Sequence, residues 1–246
     1  MINYQILIEY IGDNFVGWQI QKNGLSVQET IQNALKKITK KKILIFGSGR
    51  TDAGVHAIEQ SAHFKIKNKI KDKKKFLKSL NFFLSKKNIS ILDIKERKKL
   101  FHARHSAKKR EYRYYIVNRQ ASLSLERNRV WYLTKKLNLN LMKKGAKILK
   151  NTKDFSTCRA SSCSARSPIK TLQRVKITKI RNKIEIIFIS KSFLQQQVRS
   201  MVGCLKYLAE EKWSIKKFKE VLNSKDRKNC APPAPAYGLY LFKVSY

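Results

Sequence analysis

The stretch Ile43-Leu44-Ile45-Phe46-Gly47-Ser48-Gly49-Arg50-Thr51-Asp52-Ala53-Gly54-Val55-His56-Ala57 decides how this chain is read. Its first four residues are an apolar run that reads as a buried strand. Small residues then crowd the strand's exit, glycine and alanine surrounding one arginine and one aspartate. Glycine lets a backbone bend tightly or lets another molecule approach closely, so the pattern suits a single carboxylate presented to a large ligand. Gly47-x-Gly49 lacks the later glycine of a dinucleotide fingerprint and the Gly-Lys-Ser/Thr end of a P-loop. Asp52 also has no partner carboxylate nearby, which argues against paired-acid glycosidase chemistry. A lone aspartate can act as a nucleophile, or as a base on a sugar or base carbon. Burial raises a carboxylate's pKa and a nearby cation lowers it again, so Arg50 or an arginine from elsewhere should pair with Asp52. The plainer alternative is an aspartate that caps a turn.

Around this stretch the apolar pattern alternates between strand and helix. Ile6, Ile8 and Tyr10 share one face of a strand over residues 4–10. Ser26-x-x-Glu29 is a capping box, followed by Val27, Ile31, Ala34, Leu35 and Ile38 on one helical face. Residues 61–67 alternate as a strand, and Asp72 caps a helix carrying Phe76, Leu77, Leu80, Phe83 and Leu84. A strand over 89–95 completes the order β-α-β-β-α-β. The second half repeats it: a strand over 112–117, a helix over 138–150, a hairpin turning at Arg181-Asn182, and a helical seam through Leu194, Val198, Met201, Leu205 and Leu208. A short helix over 214–222, a loop over 224–236 and a strand over 238–246 follow. The pattern predicts an α+β protein of two tandem ferredoxin-like halves, joined into one wide, mainly antiparallel sheet with helices on one face. The halves are expected at 1–105, carrying the aspartate loop, and 106–246, completing an active-site cleft.

A chain of 246 residues with 42% hydrophobic content can bury a proper core. No apolar run is long enough to span a bilayer, and the N-terminus does not read as a signal peptide, so a cytoplasmic protein is expected with no membrane partner. The net charge of +39, from 55 Lys and Arg against 16 Asp and Glu, points to a polyanionic partner, with nucleic acid foremost. Lysine runs such as Lys40-Lys41-Lys42 also fit a biased coding composition. Cys158, Cys163, Cys204 and Cys230 are too few and too irregularly spaced for a disulfide framework or a zinc site, and the four histidines miss the usual metal spacings. No metal is expected.

Phe101-His102-Ala103-Arg104 and the segment Lys108 to Tyr115 interleave cations with aromatics, as a surface that neutralises phosphates and stacks on bases would. An exposed basic turn feeding an aromatic-rich strand is the alternative. Arg166 in its small-residue loop is a weaker candidate for touching RNA. Phe193 to Gly203 reads as the start of a helix whose apolar seam surrounds Arg199. An arginine there is costly to bury without a carboxylate, and with acids so scarce Asp52 is a credible partner; a stem lying on the seam with its head in solvent is the other reading.

Together these segments resemble the tRNA pseudouridine synthase A family, nearly end to end. The carriers are Gly17-Trp18-Gln19-x-Gln21, Gly49-Arg50-Thr51-Asp52-Ala53-Gly54-Val55-His56, Phe101-His102-Ala103-Arg104, Tyr112-Arg113-Tyr114, Asp154-Phe155-Ser156, Val198-Arg199-x-Met201-Val202-Gly203 and Gly238-Leu239-Tyr240-Leu241. The resemblance implies cofactor-independent isomerisation of uridine to pseudouridine at positions 38 to 40, in the anticodon stem-loop of tRNA. It also implies a homodimer in which the tRNA contacts both subunits. By match, Asp52 would be the nucleophile, Tyr112 the ring packed on the target base, and Arg50 the residue that occupies or guards the space left by the flipped base. Arg199 would be the salt-bridge partner of Asp52, and Leu239 part of the pocket wall. Attack of Asp52 on C1′, attack on C6 and abstraction of a sugar proton all remain open. The chain departs from the family pattern at Ile11, Ser85 and Gln197, where the family has Asp, Pro and Met. Two rival readings are a non-catalytic tRNA-binding module of the same fold, for which Asp52 is dispensable, and a ribosome-associated basic structural protein.

Overall fold

The computed structural model describes all residues, Met1 to Tyr246. Its elements in chain order begin β1 (Ile2–Tyr10), α1 (Val27–Thr39), β2 (Ile45–Gly47), β3 (His56–Ile66), α2 (Lys73–Leu84) and β4 (Ile89–Arg97). Then come β5 (Lys109–Asn118), β6 (Trp131–Leu133), α3 (Leu139–Leu149), β7 (Asn151–Asp154), β8 (Ile169–Ile180) and β9 (Lys183–Ser190). The chain closes with α4 (Gln197–Ala209), α5 (Ile215–Asn223) and β10 (Leu239–Ser245). The fold is α+β, as the pattern predicts. Two compact units are formed, one by Met1–Lys108 with Tyr240–Tyr246, the other by Lys109–Leu239.

In the first unit the strand order is β4-β1-β3-β10, with β2 also paired to β3. β1 runs antiparallel to both β3 and β4, while β10 pairs parallel to β3 at Tyr240↔His56 and Leu241↔Ala57. Tyr4, Ile6, Ile8, Ile31, Leu35, Phe64, Leu80 and Leu84 are fully buried between sheet and helices. Each such aliphatic or aromatic side chain contributes roughly 1.5–3 kcal/mol. The helices start where their caps place them: Ser26 accepts a hydrogen bond from the Glu29 amide, and Asp72 accepts one from the Lys75 amide.

In the second unit β5 pairs antiparallel with β9, β9 with β8 and β8 with β7, while β6 adds in parallel to β5. The β8–β9 hairpin turns at Arg181-Asn182, with Arg181 at φ 53°. Val198, Met201, Leu205 and Leu208 are buried on α4 as the seam requires, but Leu194 lies ahead of the helix, which begins only after Gln196 at φ 60°.

Two further expectations are corrected. The run Ile43 to Phe46 is not a buried strand: only Ile45–Gly47 pairs, and Leu44 and Phe46 are about half exposed while Ile43 and Ile45 are buried. An apolar run at the end of a sheet can place alternate residues in solvent, which composition alone does not reveal. Conversely, β3 begins at His56 rather than residue 61. Its first residues, His56-Ala57-Ile58-Glu59-Gln60, hide their alternation because His56 and Gln60 are buried polar side chains.

Candidate active site

Asp52 sits, half-buried, in the link between β2 and β3, and both ends of that link are fastened. At the near end the Ser48 amide donates to the Ser61 carbonyl (2.7 Å), the Ser48 hydroxyl donates to Gln60 Oε1 (2.7 Å), and Gln60 Nε2 donates to the Gly49 carbonyl (3.0 Å). At the far end the Val55 amide donates to the Asp52 carbonyl (3.2 Å), closing a turn whose third residue, Gly54, has φ +76°. A positive φ at that position is what makes glycine the fitting residue. The aspartate therefore projects from a turn with little freedom to wander.

A second segment, between β1 and α1, lies across this turn. Gly17 bridges Asp52 in antiparallel fashion, and the Trp18 amide donates to the Thr51 carbonyl at 3.1 Å. Gly17 has φ +113°, and a methyl group there would stand 2.6 Å from the Thr51 carbonyl oxygen. The Tyr10 and Thr51 hydroxyls are 2.8 Å apart. His56 accepts the Gly12 amide at Nδ1 (3.0 Å), which leaves its other nitrogen, Nε2, to carry the proton and face the Asp13 carboxylate at 3.9 Å. Sequence reasoning passed over Tyr10 and His56 as positioning residues, although both lie in or beside the quoted motifs. Arg50, two residues from Asp52 on the same link, is exposed.

Tyr112, Arg199 and Leu239 belong to the second unit. Tyr112 lies opposite Phe188 on the β5–β9 ladder, and its buried ring meets Phe193 edge-on with centroids 5.1 Å apart. Arg199, in the first turns of α4, is half-buried and donates from Nε to the Ala234 carbonyl at 2.8 Å. Its own carbonyl accepts the Ala234 amide at 3.0 Å. Tyr114 donates to the neighbouring Pro235 carbonyl at 2.8 Å, and burial pushes its phenol well above the ordinary range. The segment around Ala234 is therefore held by both Arg199 and Tyr114. Leu239 is buried directly after a single 3-10 turn, Ala236–Gly238. Gln197, one of the departures, is fully buried; its Oε1 accepts the Leu194 amide at 2.8 Å, while its Nε2 has no partner.

The interleaved cations and aromatics are only in part the surface they resemble. Arg113 forms ion pairs with Glu111 (2.7 Å) and Glu185 (3.0 Å); burial works to lower its pKa, and these carboxylates outweigh it and hold the pKa up. Its charge is balanced by carboxylates within the protein, and Tyr114 is fully buried. Around Phe101 and His102 the rings pack on one another: Phe46 on His63 at 5.3 Å, His63 on His102 at 4.5 Å and His102 on His105 at 4.3 Å. Burial, and then the His102 charge, lower the His63 pKa from 6.5 to about 4, so this imidazole is neutral at physiological pH.

Residues 6–106 and 146–246 match the family model described as tRNA pseudouridine synthase. Over all 246 residues and the full length of the relative, the chain is 62% identical to the tRNA pseudouridine synthase A of Pelagibacter ubique. It is 40% identical to the protein of that name from Parvibaculum lavamentivorans, again over the full length of both. With the one from Maricaulis maris it shares 39% identity over the whole chain and 98% of the relative. Among solved structures, one from a Cbf5-Nop10-Gar1 complex covers 82% of the chain and 53% of its own length at a TM-score of 0.36 and 9% identity, a likeness too slight to bear on the fold. Family model and full-length relatives agree: the chain belongs to the tRNA pseudouridine synthase family and is an isomerase.

Proposed function

We propose that the protein converts uridine to pseudouridine at positions 38, 39 and 40, in the anticodon stem-loop of tRNAs, with Asp52 as nucleophile. The C1′–N1 bond breaks, the uracil turns, and a C1′–C5 bond forms; C5 gives up its proton and N1 gains one. The formula is unchanged and the electron count balances, so the reaction needs no cofactor. The detached base must be kept in place and out of reach of water, which calls for a closed pocket and a stacking ring. The target nucleotide must first leave its stack, at a cost of a few kcal/mol.

The observation that carries this reading is the fastening of Asp52, whose turn is held through Thr51 by Tyr10 and by the backbone of Gly17 and Trp18. A carboxylate fixed in this way is ready for the reacting carbon without further ordering. Tyr112, steadied by Phe193, packs on the target base, and Leu239 forms part of the pocket wall. Arg50, exposed beside Asp52, takes the space left by the flipped base, and Arg199 completes the substrate-binding set. The enzyme acts in the cytoplasm as a homodimer in which one tRNA touches both subunits.

The test is pseudouridine mapping on an unmodified tRNA with uridines at 38 to 40, using wild-type protein and Asp52→Ala. Wild type should modify these positions, and the variant should lose about 10³-fold or more in rate while binding tRNA as before. An active variant would remove Asp52 from the mechanism. Tight binding with no modification by either protein would make the chain a tRNA-binding relative that has lost its chemistry.

A further inference from the structure

Spacing along the chain argues against a zinc site, but the fold brings three of the four cysteines together. Cys158, Cys204 and Cys230 place their sulfurs within 4.8 Å of one another. Cys204 Sγ and Cys230 Sγ are 3.5 Å apart, with Cys158 Sγ no more than 4.8 Å from either. The fourth, Cys163, is buried outside the cluster.

Three different elements supply the trio. Cys158 ends a 3-10 turn whose last amide is tied to the Phe155 carbonyl at 2.9 Å. Cys204 lies in the middle of α4. Cys230 caps a second 3-10 turn, its amide donating to the Arg227 carbonyl at 3.1 Å. Cys158 and Cys204 are fully buried, whereas Cys230 is only partly covered, which leaves one approach to the cluster. None of the three takes part in the chemistry proposed above.

We propose that Cys158, Cys204 and Cys230 form a tri-thiolate binding site for Zn²⁺. Zinc bonds thiolate at about 2.3 Å, so tetrahedral angles put its sulfurs about 3.8 Å apart. With 3.5 Å between Cys204 and Cys230 and at most 4.8 Å for the other pairs, the trio needs to move by about an ångström or less to reach that spacing. Charge favours zinc as well. Three thiolates carry three negative charges, Zn²⁺ returns two, and the guanidinium of Arg227, three residues before Cys230 and donating to Ser200 Oγ on α4 at 3.1 Å, supplies the third. Binding takes all three sulfurs as thiolates and releases the protons they still carry, and water can complete the fourth position by way of the partly exposed Cys230. The bound ion ties the Cys230 end of the 230–235 segment to α4. That segment carries Ala234, which hydrogen-bonds Arg199 in both directions. The site is independent of the proposed reaction and stands or falls by its own measurement.

The experiment titrates Zn²⁺ into the fully reduced, full-length protein under anaerobic conditions against a chromophoric chelator, with Co²⁺ as a spectroscopic substitute. One equivalent should bind. Co²⁺ should give intense near-ultraviolet sulfur-to-metal absorption together with tetrahedral d–d bands in the visible. Cys230→Ser, at the accessible edge, should weaken zinc binding by about 100-fold or more, and Cys158→Ser likewise. Cys163→Ser should leave binding unchanged, and zinc should raise the thermal midpoint of wild type but not of Cys230→Ser. Reduced protein that takes up no zinc, or zinc uptake untouched by Cys230→Ser, overturns the proposal. So does loss of two thiols to a disulfide in air at the same rate with and without zinc.

Discussion

Gly17 shows how much a single position can weigh on Asp52. Its φ of +113° is one that side chains rarely adopt, and the Thr51 carbonyl leaves no room for a methyl group. Gly17→Ala should therefore cost about 1–2 kcal/mol in stability. In a chain of this length that lowers the thermal midpoint by roughly 2–8 °C, and calorimetry reads it directly. Catalysis should suffer more, because the shift passes straight into the bridge between Gly17 and Asp52; a variant with a lower midpoint and unchanged kcat would show that the bridge does not position the carboxylate. His63 gives a pH-dependent expectation. The folded protein binds its proton only near pH 4, the unfolded chain near 6.5. Between those values the unfolded state takes up more protons, so this contribution is intact above pH 6.5 and is lost as pH falls towards 4. Thermal midpoints measured from pH 7.5 to 4 should fall across that window, and His63→Gln should flatten the fall. Asp52 stands out in the sequence as a candidate because small residues isolate it. The hold of Tyr10 on Thr51 and the docking of Gly12 on His56 were not legible, because contacts between distant segments leave no local spacing to detect.

The elements were most legible where a cap and a period agree. Ser26 and Asp72 both cap the helices their positions announce. Ser26→Ala should cost about 1 kcal/mol, seen as a drop of roughly 2–4 °C in the thermal midpoint with no change in activity. A larger loss would mean that the buried Ser26 side chain does more than cap. Legibility failed where buried polar residues break the alternation, as His56 and Gln60 do in β3. It failed again for β6 and β7, short strands in segments without apolar periodicity that are recruited by their neighbours β5 and β8. Leu194 imitates the helical period of α4 but packs from the loop, because Gln196 adopts a left-handed conformation just ahead of the helix. On α2, Phe82 is 75% exposed and packs edge-on against Phe83, so a helix rich in phenylalanine need not bury it.

At the scale of the whole molecule, the charge of +39 makes a prediction that no single residue does. If even six lysines or arginines neutralise tRNA phosphates, affinity should fall about a thousandfold between 50 and 200 mM salt. Filter binding across that range measures the slope, and a shallow one would mean that most of the lysines never meet RNA. The cysteine trio belongs to this scale too, since residues from three separate elements meet only once the second unit has folded. The pairing of β10 with the start of β3 has a consequence for how the molecule is made. A ribosome that has finished Lys108 must still synthesise about 130 residues before Tyr240 emerges, on the order of 10 s at usual elongation rates. For that interval the backbone of His56 and Ala57, just after the aspartate turn, is a bare edge in the nascent chain, open to any stray strand. The newborn enzyme thus waits for its last strand before the strand leading out of its aspartate turn is sealed, and a message cut short within the second unit would yield a protein with that edge still open.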